Sequence, residues 1–183
     1  SRGFAFLDTP TSFFRRSTAF PKPIMPQLDG QTAIVTGANS GIGEAVARGL
    51  SEAGARVVIN YVVDEAAAER IVEELRGNGA SAEAVYGDVS AADDVAALFR
   101  RTEEQWGTVD ILVNNAGLQR DASIEEMTLE QWQKVIDVNL TGSFLCAREA
   151  IRAFKRRGPC PERSRATGKI LFISSVHEQI PWA

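Results

Sequence analysis

The sequence predicts an α/β fold built on a doubly wound parallel sheet, and three observations predict it. Short, nearly continuous apolar runs alternate with longer amphipathic segments. The first apolar run, Thr32 to Val35, passes into a helical pattern over the glycine-rich stretch Thr36-Gly37-Ala38-Asn39-Ser40-Gly41-Ile42-Gly43. The unusual polar residues gather just after the apolar runs. Continuous apolar strands separated by helices specify a parallel sheet covered on both faces. Right-handed crossovers then give the strand order 3-2-1-4-5.

Each element can be read in turn. Thr32–Thr36 is the first strand, and Gly41–Ala53 the helix after it, closed by Gly54. Arg56–Tyr61 is a second, almost wholly apolar strand. Asp64–Arg76 is a helix rich in Ala and Glu, ended by Gly77-Asn78-Gly79. Ala82–Tyr86 is the third strand, and Ala91–Trp106 a helix with Ser90 as its expected cap and Gly107 as its stop. Asp110–Val113 is the fourth strand. A long helix is expected from about Asp137 to Arg156, with a break separating it from a turn or helix over Thr128–Ile136. Lys169–Ile173 is the fifth strand. The predicted architecture is a Rossmann-type domain over residues 28–183, incomplete at its C-terminal end.

Composition fits one globular domain. The chain has 183 residues, 44% hydrophobic and 24% charged, which are ordinary values. No apolar run approaches the roughly 18–20 residues that span a bilayer, so no membrane partner is expected. Cys146 and Cys160 fit neither a disulfide framework nor a metal site, and a reducing, cytoplasmic setting is expected. Residues 1–27 carry Arg2, Arg15, Arg16 and Lys22 against Asp8, a net of +3, while the remainder carries −7. An acidic body argues against nucleic acid, whose phosphates need clustered Lys and Arg. The basic cluster Lys155-Arg156-Arg157, with Arg163 and Arg165 nearby, reads as a helix C-terminus with cations on its dipole. Residues 1–27 keep no period and hold prolines at 10, 21, 23 and 26. Either they are a foreign extension of transit-peptide composition, or Met25 is the natural start; disorder is expected before about residue 27 in both cases.

The glycine stretch is the chemically informative one. A strand that turns over glycines into a helix offers free backbone N–H groups and the positive end of a helix dipole, which together bind anions. Gly87-Asp88-Val89 follows the third strand, where the Asp88 carboxylate can accept from an adenine amine or cap the next helix. Asn114-Asn115-Ala116-Gly117 follows the fourth; its amides can tie two strands together or reach a ribose, and Asn115 and Gly117 suit left-handed turn positions. Ser174-Ser175-Val176-His177 follows the fifth. Asn139 is a lone amide in an apolar helical stretch and needs a partner, structural or catalytic. His177-Glu178 is not a zinc-protease motif, since no second histidine follows at the required spacing; no metal is expected.

In this order Thr36-Gly37-x-x-x-Gly41-x-Gly43, Asp88, Asn114-Asn115-Ala116-Gly117, Asn139 and Ser174-Ser175 resemble the short-chain dehydrogenase/reductase family, over about residues 28–183. The stretch from Ser174 to Trp182 is similar to the corresponding segment of the bacterial glucose 1-dehydrogenases. The resemblance implies an NAD- or NADP-dependent oxidoreductase that moves a hydride between nicotinamide and a sugar or alcohol carbon. It implies that Gly37, Asn39, Ser40, Gly41, Ile42 and Gly43 hold the pyrophosphate, that Asp88 and Val89 meet the adenine, and that Asn115, Ala116 and Gly117 lie on the ribose side. Ser175 would hydrogen-bond the substrate oxygen and Asn139 would hold a relay water. It also implies a small-molecule substrate and a homotetramer for the full-length protein.

The family's general base is a tyrosine whose pKa is lowered by a lysine four residues on. Counted from Ser175, that tyrosine falls near position 188, beyond Ala183. Neither Tyr61 nor Tyr86 can substitute, and a polypeptide ending at Ala183 is expected to be inactive alone. Cofactor choice turns on the end of the second strand, where an acid favours NAD and a nearby arginine NADP. That position is Tyr61, followed by Val62, so dual use is expected; Arg48 is expected to face solvent. Two other functions stay open, a 3-oxoacyl carrier-protein reductase docking its carrier through Arg148, Arg152 and Lys155, and a non-catalytic nucleotide-binding protein.

Overall fold

A computed structural model describes residues 27–175. The N-terminal stretch 1–26 and the 177–182 segment on which the glucose dehydrogenase resemblance rests lie outside the described residues.

Five parallel strands, β1 (Thr32–Val35), β2 (Arg56–Tyr61), β3 (Ala82–Tyr86), β4 (Ile111–Asn114) and β5 (Lys169–Phe172), form one sheet in the order β3-β2-β1-β4-β5. The expected order and parallel sense are both present. The register sets Val35 beside Ile59 on one side and Val113 on the other. Helices α1 (Gly41–Glu52) and α2 (Glu65–Gly77) cover one face. There Ala33, Val35, Val57 and Ile59 pack against Ala47, Ala68, Ile71 and Val72. Helices α3 (Ala92–Trp106) and α5 (Ser143–Arg157) cover the other, where Ile34, Val58 and Leu112 meet Leu98, Phe99, Cys146 and Ala150. Both faces of β1 and β2 are dry, which is why these strands read as unbroken apolar runs.

Four local expectations are corrected. Helix α3 starts with Ala91, not Ser90, as its N-cap, and no side chain caps it. Ser90 sits one residue too early, and its hydroxyl donates instead to Asp88 Oδ1 at 2.6 Å. The expected break before the long helix is absent. Helix α4 (Leu129–Ile136) runs through a π-helical segment, Asp137–Gly142, directly into α5. A π segment adds a residue to the turn without ending the helix, so the sequence pattern slips phase without a stop signal. Asn115 and Gly117 do not adopt left-handed backbone; Asp64 is the positive-φ residue other than glycine among those described, at φ 57° as N-cap of α2. Finally, Arg48 does not simply face solvent: it bridges Glu44 at 2.7 Å and Glu74 at 2.5 Å, tying α1 to α2.

The lower rim of the sheet is clamped by one buried carboxylate. Asp110, 1% exposed, accepts from the Thr32 amide at 2.9 Å and from the Arg157 guanidinium at the end of α5. Arg157 also donates to the Thr167 carbonyl, so the loop leading into β5 hangs from the same arginine.

Candidate functional site

The functional residues lie along the carboxyl ends of the strands, on both sides of the point where β1 is flanked by β2 and β4. Their positions follow from a dense set of hydrogen bonds around Thr36. Its amide donates to the Val113 carbonyl at 3.0 Å, and its Oγ1 accepts from the amides of Asn115 and Ala116, each at 3.0 Å. The Asn115 side chain donates to the carbonyls of Thr36 at 2.9 Å and Gly37 at 3.0 Å. Of the two roles open to this amide, the structure therefore uses it to stitch β4 to β1.

The glycines of the turn have distinct reasons to be glycine. Gly37 has φ 59°, and a Cβ on it would meet the Ala116 Cα at 3.0 Å. Gly43 is packed so closely that a Cβ would lie 2.4 Å from Asn115 Nδ2 and 2.5 Å from the Gly37 carbonyl. Gly41 also has positive φ, 57°, but nothing lies within 4 Å of where its Cβ would be. The first two glycines serve the fold, whereas the third keeps open space over the start of α1. Ser40 caps α1 in extended conformation with no side-chain hydrogen bond to the helix, so the amides of the first turn face that space uncapped. Ile42, 64% exposed, and Ser40 rim it. Asn39 reaches sideways, its Nδ2 donating to the Val63 carbonyl at 2.8 Å, and so links the turn to the β2–α2 connection.

At the end of β2, Tyr61 is 7% exposed and packs edge-on against Tyr86, the ring centroids 6.1 Å apart. Burial, aided by Glu65, pushes its phenol above the ordinary value, so it holds its proton. At the end of β3, Asp88 Oδ1 accepts from the Ser90 amide and hydroxyl, while Oδ2 faces Lys134 at 3.6 Å. Burial alone would raise the Asp88 pKa, but the Ser90 hydrogen bonds and Lys134 outweigh it and hold the carboxylate ionised. Its second oxygen is the one paired with Lys134, on a side chain 27% exposed. Val89 is 4% exposed and packs on Gly142, where a Cβ would fall 2.8 Å from it. Val89 thus shapes the loop and presents little surface to a ligand.

On the far side, Asn139 sits in the π-helical segment. Its Oδ1 accepts from the Leu118 amide and its Nδ2 donates to the Leu118 carbonyl, both at 2.9 Å. The side chain is occupied in holding the β4 loop, and the Asn139 carbonyl accepts from Ser143 Oγ at 2.8 Å. A cavity of about 580 Å³ opens there between Asn114, Gly117, Asn139, Phe144, Phe172 and Ser174. Ser175 is exposed just beyond β5, next in sequence to Ser174, which lines that cavity. Cys146 is fully buried, its thiol pushed by burial up to about 12, and it takes no part. Among the described residues no group of His, Cys, Asp and Glu is placed to hold a metal ion, and no helix is long and apolar enough to cross a membrane.

One residue escaped the sequence reading. Asn60, 1% exposed in the middle of an apolar strand, accepts on Oδ1 from the Gly37 amide at 3.3 Å. Its Nδ2 donates to the carbonyls of Val85 at 3.3 Å and Gly87 at 3.0 Å. The signal was available: a lone amide in an apolar run, the same argument that marked Asn139.

An open-sheet fold, an uncapped helix start behind a glycine turn, and a carboxylate after β3 define a nucleotide-binding domain of the doubly wound class. The family model for short chain dehydrogenase matches residues 31–183, and the chain belongs to that family. It is 42% identical over 155 residues to glucose 1-dehydrogenase 2 of Bacillus subtilis, covering 84% of this chain and 57% of that protein. It is 41% identical over 152 residues to the 3-oxoacyl-[acyl-carrier-protein] reductase of a Synechocystis strain, covering 83% and 58%. A short chain dehydrogenase from Burkholderia cenocepacia, solved in complex with NADP, superposes with a TM-score of 0.75 at 30% identity, over 86% of this chain and 60% of that one. The chain thus spans less than two thirds of the length of these relatives.

Proposed function

We propose that this chain is the cofactor-binding part of an NAD- or NADP-dependent oxidoreductase that acts on the hydroxyl of a sugar or other alcohol, as a cytoplasmic enzyme. The observation that carries the reading is the open space at Gly41, set over the uncapped first turn of α1. The N–H groups of Gly41, Ile42 and Gly43, with Asn39 and Ser40 beside them, would hold the pyrophosphate. The Asp88 carboxylate would accept from the adenine amine. Ala116 and Gly117, which line the cavity, would lie on the ribose side, and Ser175 would donate to the substrate oxygen. When bound, the dinucleotide supplies hydride chemistry; the chain's own share is to bind, orient and exclude water. The Bacillus relative's name supports a sugar as substrate, and the NADP bound to the Burkholderia structure supports the cofactor class.

Dual cofactor use goes with this reading. The end of β2 offers Tyr61, Val62 and Val63, neither an acid for a ribose hydroxyl nor a cation for a 2′-phosphate. Comparing KM for NAD and NADP on the full-length enzyme tests it, and a thousandfold preference either way would sink it. A polypeptide ending at Ala183 is expected to bind dinucleotide without turnover; measurable glucose oxidation by it would refute that. The Synechocystis relative favours a second reading, reduction of a 3-oxoacyl thioester. Glu149 holds Arg148 at 3.3 Å and Arg152 at 2.7 Å, which weakens the expected carrier-docking patch. Assaying glucose against acetoacetyl thioesters separates the two. Self-association, as a homotetramer, is supported by the exposed stripe of Leu140, Phe144 and Ile151 along one helix face. Light scattering on the full-length protein checks it.

A further inference from the structure

The buried amide of Asn60 bridges the glycine turn after β1 and the segment after β3. Through Oδ1 it takes the Gly37 N–H, and its own backbone carbonyl takes the Ala38 N–H at 2.9 Å, so both amides at the base of the glycine turn are spoken for by one residue. Through Nδ2 it holds the Gly87 carbonyl, one residue before Asp88. The orientation of the amide is dictated: reversed, it would set NH2 against an N–H and oxygen against two carbonyls. Aspartate could not donate to Gly87, and serine or alanine could not span both sides. At 1% exposure the amide is shielded from competing water, so its bonds fix distance as well as composition.

We propose that Asn60 is a positioning residue for the dinucleotide, setting the Asp88 acceptor at a fixed reach from the pyrophosphate turn. It acts through Gly37 and Gly87 and touches no ligand. The inference rests on the dinucleotide reading above, in which Asp88 meets the adenine amine. It makes a claim a purely structural asparagine would not: loss of the bridge spoils recognition of the amine more than it spoils the anion site.

The test uses the whole chain with two probes, ADP and IDP, which share ribose and pyrophosphate and differ in the exocyclic amine that Asp88 would accept. Dissociation constants by calorimetry should show ADP bound about tenfold more tightly than IDP, the scale of one hydrogen bond to a charged acceptor. In Asn60→Ser that preference should fall to about twofold or less, while IDP affinity changes less than ADP affinity. Because Asn60→Ser empties a buried site and can unfold the chain, Gly87→Ala gives a second arm. It keeps Asn60 but places a Cβ 3.3 Å from Nδ2, displacing the bridge by a few tenths of an ångström. It should lower the ADP preference in the same direction. If either folded variant weakens ADP and IDP equally, or if the parent binds ADP but does not discriminate against IDP, the inference is overturned. If the parent binds neither, the dinucleotide reading itself fails, and this inference with it.

Discussion

The two sides of the sheet are built to different standards. Strands β1 and β2 are buried on both faces, and the loops at the ends of β1–β3 are pinned by Thr36, Asn60, Asn115 and the Ser90–Asp88 pair. Beyond β4 the cover thins. The last two residues of β5 are exposed, and Phe144, Phe172 and Ile173 present apolar surface to the cavity. The difference teaches where the work of binding is assigned. At the carboxyl ends of β1–β3 the polar side chains are held by hydrogen bonds, as an anion cradle that must not reorganise requires. The β4–β5 side is a wall with one face still bare among the described residues.

The largest effect should come from the clamp beneath both sides. Asp110→Ala takes the acceptor from the Thr32 amide and the carboxylate from Arg157, which keeps the Thr167 carbonyl. Removing one partner of a buried ion pair costs about 3–5 kcal/mol. Urea denaturation should show that loss, and a change below about 1 kcal/mol would mean the pair is not shielded. Next comes a direct contrast of the two sides. Amide exchange in β2 should be slower than in β5 by at least about a hundredfold, since exchange tracks local opening and β5 lacks cover on its outer residues. Equal protection of Val58 and Leu171 would erase the comparison drawn here.

Within the well-built side, Gly43→Ala drives a Cβ into backbone and the Asn115 amide, an overpacking that costs about 1–3 kcal/mol. Gly41→Ala meets no atom, but its positive φ is strained for alanine, and its methyl enters the space over α1. The two therefore separate fold from ligand: Gly43→Ala should lower the urea midpoint more, and Gly41→Ala should lose ADP binding more, by about tenfold or greater. The same ranking in both assays would remove the distinction between a packing glycine and a ligand glycine.

Much of this was legible in the sequence, and the reason is the same one that makes β1–β3 rigid. Strands β1, β2 and β4 are buried on two faces, so their residues are mostly apolar, and the polar residues that follow them stood out. The strand order, the glycine turn and the polar strand ends followed from that. What could not be read was the direction of side chains. Asn115 and Asn139 both stood out as amides, but only coordinates show that one binds Thr36 and Gly37 and the other binds Leu118. Ser90 looked like a helix cap because capping residues and Asx-type partners share a composition. The π-helical segment carries no sequence signal beyond a slipped phase, and Asn60 was passed over because one amide in a six-residue strand disturbs the pattern little.

The smallest predicted effect concerns the Ser90–Asp88 pair. Asp88 has its pKa held below the usual carboxylate value, against the opposing push of burial, by hydrogen bonds from Ser90 and by Lys134. A depressed carboxylate contributes stability above its unfolded pKa, near 3.9, and that contribution is lost as pH falls through the lower folded value. Ser90→Ala removes the hydroxyl at 2.6 Å but keeps the backbone donor at 2.9 Å. The Asp88 side-chain carbon should then titrate at higher pH by NMR, nearer the ordinary value. The stability gap between parent and variant should be present above about pH 5 and should shrink as pH falls through the folded pKa. An unmoved Asp88 midpoint would mean that Lys134 and the Ser90 amide hold the carboxylate without the hydroxyl. In that case Lys134→Ala becomes the variant that moves it, and added salt should move it in the same direction, since the 3.6 Å pair is partly exposed and open to screening.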